Sequence, residues 1–149
     1  MAKRVVFMTG EKIGANASEA IHLYRRMASF KKSGDVSIIT QDFSGYPEQA
    51  GCKKVLHLNA DESIADAAIF VAKQADMFVV VGISPNVNPF TNLLGETKPG
   101  CCIAIINKGC LELPEELHHK NVVRMRDMSI GTGLTFLSVY WYLKNMVEE

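Results

Sequence analysis

Four short polar segments, each placed after or at the end of an apolar run, could hold a ligand with phosphate or sugar groups. In chain order they are Thr9-Gly10-Glu11-Lys12, Thr40-Gln41-Asp42, Gly82-Ile83-Ser84 and Asn107. Glycine lets a ligand come close to the backbone, while hydroxyl, amide and ammonium groups donate hydrogen bonds to phosphate and ribose oxygens. The segments therefore predict a phosphate-binding site, provided that the fold brings them together.

The first segment is typical of a loop that joins a strand to a helix. Its backbone N–H groups and the positive end of the helix dipole would attract an anion. Lys12 would attract a pyrophosphate, whereas Glu11 would repel one if it faced inward. The alternative is an ordinary turn in which Gly10 and Gly14 only relieve backbone strain, because the Gly-x-Gly-x-x-Gly fingerprint is absent.

The elements that must position these segments alternate along the chain. The predicted strands are Arg4 to Met8, Val36 to Thr40, Lys54 to Leu58, Met77 to Val81, Ile103 to Ile106 and Asn121 to Met125. The predicted helices are Ala15 to Lys32, Asp61 to Gln74 and Gly133 to Val147. Strands that alternate with helices are typical of βαβ units and a parallel sheet. We therefore expect a three-layer α/β/α Rossmann-like fold, with a six-stranded, mostly parallel sheet, in one domain over residues 1–149.

In such a sheet all four segments would lie at the carboxyl ends of the strands, where open α/β sheets bind ligands. Taken together, they resemble the NAD-binding core of the sirtuins. That family's pattern runs Thr-Gly-Ala-Gly-Ile-Ser, Thr-Gln-Asn-x-Asp-Gly, Gly-Thr-Ser and Ile-Asn. The resemblance implies that NAD or an ADP-ribose-type nucleotide is bound by Thr9, Gly10, Lys12, Gln41, Gly82, Ser84 and Asn107.

The sequence departs from the sirtuin pattern at the positions that do chemistry. In the family, Gln, Asn and Asp line the pocket for nicotinamide and its ribose, and a histidine that closes the next strand is the general base. Here Asp42 replaces the Asn, Ser44 replaces the Asp, and Asn59 replaces the histidine. An Asn side chain cannot accept a proton near neutral pH. His57 lies about 6–7 Å deeper along the strand, and we expect it to be hydrogen-bonded within or beside the sheet.

The sirtuin family also has two insertions that are missing from this sequence. One lies between the glycine loop and Thr-Gln-Asn, and the other, which carries the zinc cysteines, precedes Gly-Thr-Ser. In this chain the two intervals contain only the predicted helices Ala15 to Lys32 and Asp61 to Gln74. The resemblance thus implies that the cleft for an acyl-lysine peptide is absent.

Three functions are compatible with these features. The first is a small domain that binds NAD or an ADP-ribose-type nucleotide without protein deacylase activity. The second is an NAD glycohydrolase or ADP-ribosyl transferase, in which Gln41, Asp42 and Asn59 orient the nicotinamide ribose and water. Cleavage of that bond depends mainly on positioning and on stabilising an oxocarbenium-like charge, so Asp42 could serve. The third is a non-catalytic scaffold that acts through its C-terminal helix.

The composition argues against several other classes of protein. The 16 Lys and Arg balance the 16 Asp and Glu, so the positive excess that binds nucleic acid is lacking. No apolar run is long enough to span a membrane, and no signal peptide is recognisable, so we expect a cytoplasmic protein. The four cysteines, Cys52, Cys101, Cys102 and Cys110, form no Cys-x-x-Cys pair, and we expect neither a zinc site nor a disulfide.

The last predicted helix has apolar residues around most of its circumference. They are Leu134, Phe136, Leu137, Val139, Tyr140, Trp141, Tyr142, Leu143 and Met146. A small domain has little interior with which to cover both faces of such a helix. We therefore expect a homo-oligomer in which the second face contacts another subunit, with Trp141 and Tyr140 as anchors. The alternative is a helix buried on two sides within the monomer.

Overall fold

The computed structural model describes residues 3–30, 33–58, 62–83, 90–107, 112–125 and 128–148. Its strands are β1 (Lys3–Thr9), β2 (Ser33–Thr40), β3 (Val55–His57), β4 (Met77–Val81), β5 (Cys102–Ile106) and β6 (Asn121–Met125). Its α-helices are α1 (Ala17–Ala28), α2 (Tyr46–Gln49), α3 (Glu62–Gln74), α4 (Phe90–Gly95) and α5 (Ile130–Glu148). A short 3-10 turn, Glu115–Leu117, precedes β6.

All six strands form one sheet in the order β3-β2-β1-β4-β5-β6, and every neighbouring pair is parallel. This strand order is that of the Rossmann fold. The predicted α/β fold is therefore confirmed, and the sheet contains no antiparallel pair among the described strands. The order reverses between β1 and β4, because the chain crosses from one half of the sheet to the other at this point.

Helices cover the sheet on both faces. Val5 and Phe7 of β1 belong to one apolar cluster with residues of α1 and α5, while Val6 and Met8 belong to the other with residues of α3 and α4. Alternate side chains of a strand point to opposite faces, so both sets are buried. This is why the central strands are continuous apolar runs in the sequence.

The first helix is shorter than the sequence predicts. It begins after Asn16, whose side-chain oxygen accepts a hydrogen bond from the Glu19 N–H at 2.9 Å, an N-cap arrangement. It ends at Ala28, since Phe30 turns inward and packs edge-on against Phe7 of β1, with ring centroids 5.4 Å apart. The prediction that this helix extends from Ala15 to Lys32 is therefore wrong at both ends.

The last helix begins earlier than predicted, at Ile130 instead of Gly133. Ser129 caps it, because its hydroxyl oxygen accepts a hydrogen bond from the Thr132 N–H at 3.2 Å. Gly131 and Gly133 disfavour a helix by propensity, yet both lie inside it. The short helices α2 and α4 were not predicted, since four and six residues are too few to show a helical period.

The helix α5 buries one face within the monomer. Leu134, Leu137 and Trp141 are at most 2% exposed and belong to the core cluster beside β5 and α1. Trp141 is therefore a core residue, and its predicted role as an interface anchor is wrong. Tyr140 is partly buried and packs against the same cluster.

Candidate functional site

The predicted ligand segments meet at the carboxyl edge of the sheet. Thr9 at the end of β1 pairs with Val81 of β4, and Val81 pairs with Ile106 of β5. Backbone hydrogen bonds continue just beyond the strands: the Gln41 N–H donates to the Thr9 carbonyl at 3.2 Å, and the Gly82 N–H donates to the Ile106 carbonyl at 2.8 Å. The loops that follow four different strands are thus held side by side.

The edge contains a crevice where the strand order reverses. From β1 the chain continues to α1 on one face of the sheet, and after β4 it reaches α4 on the other face. Two loops that leave neighbouring strands toward opposite faces open a gap between them. Such gaps are the usual ligand sites of open α/β sheets.

A cleft of about 530 Å³ occupies this region. It is lined by the loop after β1 and the following helix, by the ends of β4 and β5, and by the start of α5. These lining residues are Gly14, Glu19, His22, Leu23, Arg26, Gly82, Asn107, Met128, Ser129, Ile130 and Gly131. The cleft combines apolar walls with a few polar groups, as small-molecule sites generally do.

The N-terminal end of α1 forms one rim of the cleft. Gly14 has φ of +77°, a conformation that glycine adopts without the steric cost of a side chain, and it leads the chain into this helix. The N-terminus of a helix carries partial positive charge. Glu19, which also lines the cleft, adds a negative charge in the first turn. The rim therefore offers both an anion-attracting helix end and an acidic side chain.

Arg26 fixes the opposite wall of the cleft. Its guanidinium donates one hydrogen bond to the Gly131 carbonyl at 2.8 Å and another to the Thr135 hydroxyl at 2.6 Å. These bonds connect α1 to the first turns of α5. Two helices that are far apart in sequence are thereby held at a fixed spacing around the cleft.

Two glycines let the loops after β1 and β4 approach each other. A Cβ atom on Gly10 would lie 2.3 Å from Cγ2 of Ile83, so only glycine fits there. Gly82 has φ of +69°, which also favours glycine. The floor of the crevice therefore depends on the absence of side chains at these two positions.

Beside the cleft lies a buried polar network around Asp42, which is 3% exposed. One carboxylate oxygen accepts a hydrogen bond from the Tyr24 hydroxyl at 3.1 Å, and the other accepts one from the Ser44 N–H at 2.9 Å. The Asp42 N–H donates to the Thr40 hydroxyl oxygen at 2.9 Å. Thr9 completes the network, with its hydroxyl 3.0 Å from that of Tyr24 and 2.6 Å from that of Thr40.

The network consists of neutral donors around one acidic side chain. Burial raises the pKa of Tyr24 to about 12, so its phenol stays protonated and able to donate. Within the described part of the chain, no ion pair shorter than 4.0 Å involves Asp42. A carboxylate in this setting favours positive charge in its surroundings.

His57 lies at the end of β3 in register with Thr40. Its Nε2 is 2.6 Å from a carboxylate oxygen of Glu48, and its ring stacks on Phe43 with centroids 5.2 Å apart. The expectation of a hydrogen-bonded histidine beside the sheet is therefore confirmed. Phe43 is 62% exposed, so this pair borders the solvent.

The predicted site residues differ in where the structure places them. Gly82 and Asn107 line the cleft, and Gly10 supports it from below, against Ile83. Thr9 and Asp42 point into the buried network. Gln41 is half-buried beside that network, and Lys12 is exposed and is not among the residues that line the cleft.

Two predicted residues, Asn59 and Ser84, lie outside the described residues. Conversely, sequence reasoning did not assign His22, Arg26 or Ser129 to the cleft. His22 and Arg26 lie four residues apart on α1 and so share one helix face. Nothing in the sequence shows which element that face meets. Ser129 could have been found as the cap of a helix that begins at Ile130.

Across the residues that the structure describes, no group of three or more His, Cys, Asp or Glu side chains is arranged to hold a metal ion. Over the same residues, none of the helices has both the length and the apolar character required to cross a bilayer. Cys52, Cys101 and Cys102 are free thiols.

The sequence is similar to those of curated protein deacetylases. No protein-family model matches the sequence. The chain is 27% identical over 135 residues to an NAD-dependent protein deacetylase of Listeria monocytogenes serotype 4b, with 62% of this chain and 59% of the relative covered. It is 26% identical to the corresponding Listeria innocua protein over the same shares. The chain thus spans about 59% of the length of these curated relatives.

Solved structures of Sir2 proteins share its fold. A Sir2 enzyme matches with a TM-score of 0.72 and 16% identity, over 99% of this chain and 95% of the other. An NAD complex of a Sir2 homologue matches with a TM-score of 0.69 and 15% identity, over 93% of this chain and 89% of the other. An ADP-ribose complex of a Sir2 homologue mutant matches with a TM-score of 0.71 and 16% identity, over 92% of this chain and 91% of the other. Together with the curated relatives, these matches confirm the predicted resemblance to the sirtuins.

Proposed function

We propose that this sirtuin-like chain binds NAD or an ADP-ribose-type nucleotide at the carboxyl edge of its sheet, and that it has no protein deacylase activity. The observation that carries the proposal is the cleft of about 530 Å³ that Gly14, Gly82 and Asn107 help to line. Its volume is within the range of small-molecule sites, about 300–1,000 Å³. The positive end of the α1 dipole at its rim favours a phosphate group.

The known proteins support the ligand class. The curated relatives are NAD-dependent deacetylases, and the similar structures include complexes with NAD and with ADP-ribose. We propose that the chain does not deacylate proteins, because Asn59 stands where sirtuins have their general base. In addition, among the described residues α1 is the only helix between β1 and β2, and α3 the only one between β3 and β4. The intervals that hold the peptide-clamping domain in sirtuins are therefore short here.

Isothermal titration with NAD, ADP-ribose and ATP tests the proposal. We expect NAD and ADP-ribose to bind. Gly82→Val should abolish binding, since it places a side chain at the cleft and strains a backbone with φ of +69°. Gly100→Val is the matched control, because nothing lies within 4 Å of a Cβ at Gly100. Ser84→Ala should weaken binding by about 0.5–1.5 kcal/mol. Absence of binding to all three nucleotides, or unchanged affinity in Gly82→Val, would overturn the proposal.

A second candidate function is cleavage of NAD, which the buried Asp42 carboxylate favours. In this reaction water replaces nicotinamide at C1′ of the ribose and gives ADP-ribose, free nicotinamide and a proton; in a transferase, an acceptor group takes the place of water. Positive charge develops on the ribose as the bond to nicotinamide breaks. A carboxylate without a cationic partner among the described residues would stabilise that charge. Gln41 and Asn59 would orient the ribose and water.

Free nicotinamide measured over time distinguishes binding from cleavage. If the chain cleaves NAD, Asp42→Asn should lose at least about tenfold in rate, which corresponds to about 1.4 kcal/mol of transition-state stabilisation. It should still bind ADP-ribose, because the amide keeps the shape of the acid. The absence of nicotinamide release from the unmodified protein would overturn this second candidate and leave the binding proposal intact.

A third candidate is a scaffold that acts through α5 without a ligand, and the exposed apolar side chains on that helix favour it. In all three cases we propose a homo-oligomer joined through this helix. We also propose a cytoplasmic location, where thiols such as Cys52, Cys101 and Cys102 stay reduced.

A further inference from the structure

The helix α5 has a second apolar face, and this face points away from the sheet. It consists of Phe136, Val139, Leu143 and Met146, which we call the outer stripe. Each of these side chains is between 50% and 55% exposed. They follow one another at intervals of three, four and three residues, so they form one line along the helix. On the opposite side, Leu134, Leu137 and Trp141 are buried against the sheet.

We propose that the outer stripe is the contact between two copies of this chain, which pair through it about a two-fold axis. This inference rests on the proposed homo-oligomer and is independent of nucleotide binding. In this contact the anchors are the exposed residues of the outer stripe and not Trp141, which is buried in the monomer. Spacing of three and four residues is the pattern by which helices pack on one another at a shallow angle of about 20°. Since the stripe is a straight line of similar side chains, it is complementary to itself, as a two-fold contact requires.

The area of the stripe sets the size of the contact that two copies can form. A large apolar side chain has about 150–200 Å² of surface, so four that are half exposed present roughly 300–400 Å². Two facing stripes would then bury roughly 600–800 Å², to which the rims add. Specific interfaces start near a total of about 1,000 Å². The stripe alone is smaller than this, so the surrounding residues of α5 must supply the remaining area, and we expect weak association that depends on protein concentration.

The charge distribution favours a second copy over other occupants. Between Ile130 and Met146 only Lys144 is charged, and it is half-buried and is not one of the four residues of the stripe. Two such faces can meet without like charges coming together. Helices that lie on membranes carry several Lys and Arg along their polar side, which α5 lacks. The neutral stripe also offers nothing to a strongly charged protein partner.

Sedimentation equilibrium over about a hundredfold range of concentration tests the proposal. We expect the mass to rise from 16.4 kDa toward twice this value. Leu143→Glu and Phe136→Glu should each keep the mass at that of one chain, because a charge would be buried at the contact. Phe70→Glu is the matched control: Phe70 is 63% exposed on α3, outside the stripe, and the variant should associate as the unmodified protein does.

Several results would overturn the proposal. One is a mass of a single chain at every concentration. Another is association that persists in both Leu143→Glu and Phe136→Glu. A third is loss of association in Phe70→Glu. Binding of the single-chain form to phosphatidylcholine vesicles, lost in Leu143→Glu, would overturn it in favour of a membrane. Circular dichroism verifies that each variant is folded. Titration with NAD is a separate readout, since Leu143 is not among the residues that line the cleft.

Discussion

Asp42 is held by groups that carry no charge, and this determines how substitutions at the site should behave. Its two oxygens accept hydrogen bonds from the Tyr24 hydroxyl and from the Ser44 N–H. Such bonds orient the carboxylate but do not neutralise it. The position of the carboxylate therefore depends on Tyr24.

Tyr24→Phe removes the hydroxyl and keeps the ring. We expect it to lower the free energy of unfolding by about 1–3 kcal/mol at neutral pH, because a buried carboxylate loses a donor. Urea denaturation measures the change. A loss of less than about 0.5 kcal/mol would contradict the importance of this bond.

The same variant tests the pKa of Tyr24. In the folded protein this pKa is raised to about 12 from the ordinary value of 10.0. The folded state thus binds the phenol proton more tightly, so its contribution to stability is complete below pH 10 and is lost as the pH rises toward 12. Each unit by which the pKa differs between the folded and unfolded states corresponds to about 1.4 kcal/mol of stability. Between pH 10 and 12, stability should fall less steeply in Tyr24→Phe than in the unmodified protein. Equal slopes would show that Tyr24 does not titrate in this way.

The contact of Gly10 with Ile83 is a second residue-scale constraint. Gly10→Ala should cost about 1–3 kcal/mol of stability, because its Cβ would lie 2.3 Å from Cγ2 of Ile83. Ile83 is β-branched and has little rotamer freedom with which to avoid it. In Gly10→Ala combined with Ile83→Ala, which lacks Cγ2, the cost of the alanine at position 10 should largely disappear. Denaturant unfolding of the unmodified protein, the two single variants and the double variant forms a double-mutant cycle. If the stability changes of the single variants simply add up in the double variant, the clash is contradicted.

At the scale of elements, the position of α5 depends on how closely it approaches the sheet. A Cβ on Gly133 would lie 2.6 Å from Cγ2 of Ile106 on β5. Gly133 is therefore a packing residue that allows helix and strand to touch. The bonds from Arg26 to Gly131 and Thr135 hold the same end of the helix beside α1.

Two glycine substitutions in α5 separate packing from helix propensity. Alanine is favoured over glycine inside a helix by about 1 kcal/mol. Gly131→Ala should change stability little, because its Cβ would lie 3.3 Å from Nη1 of Arg26, which is already hydrogen-bonded to the Gly131 carbonyl, and this crowding offsets the gain in helix propensity. Gly133→Ala should instead lose about 1–3 kcal/mol, since the clash with Ile106 exceeds the gain. Thermal or urea unfolding gives both values, and an equal gain in the two variants would contradict the close packing.

At the scale of the molecule, the register of the sheet is what assembles the site. The parallel register, in which Thr9 pairs with Val81 and Val81 with Ile106, brings the ends of β1, β4 and β5 to one edge. The helices α1 and α5, which pack on the same face of the sheet, then close the crevice from that side. The resulting domain has a cleft of about 530 Å³, while the connections between its strands contain no second domain among the described elements.

We therefore expect no deacylation of acetyl-lysine peptides by the whole protein. Chromatographic detection of deacetylated peptide and O-acetyl-ADP-ribose in the presence of NAD is the measurement. Asn59→His should not restore activity, because we propose that the cleft for the peptide is missing as well as the base. Stoichiometric formation of O-acetyl-ADP-ribose by the purified protein would contradict this expectation.

The sequence by itself determined the fold and the edge of the sheet that carries the site. Strands buried on both faces are continuous apolar runs, and their alternation with helices permits few arrangements other than a parallel sheet. The polar residues after Val81 and Ile106 then had to lie at the carboxyl edge. Segment ends were less well predicted, because caps and inward turns such as those at Asn16 and Phe30 depend on single contacts.

Only the tertiary structure decided which side chains face the cleft and which face of α5 is exposed. His22 and Arg26 reach the cleft because α1 packs beside α5, a contact between segments more than 100 residues apart that no local pattern encodes. In α5 the apolar residues surround the helix, so their spacing carries no information about direction. Contact with the sheet selected Trp141 for the core and left Val139 in solvent.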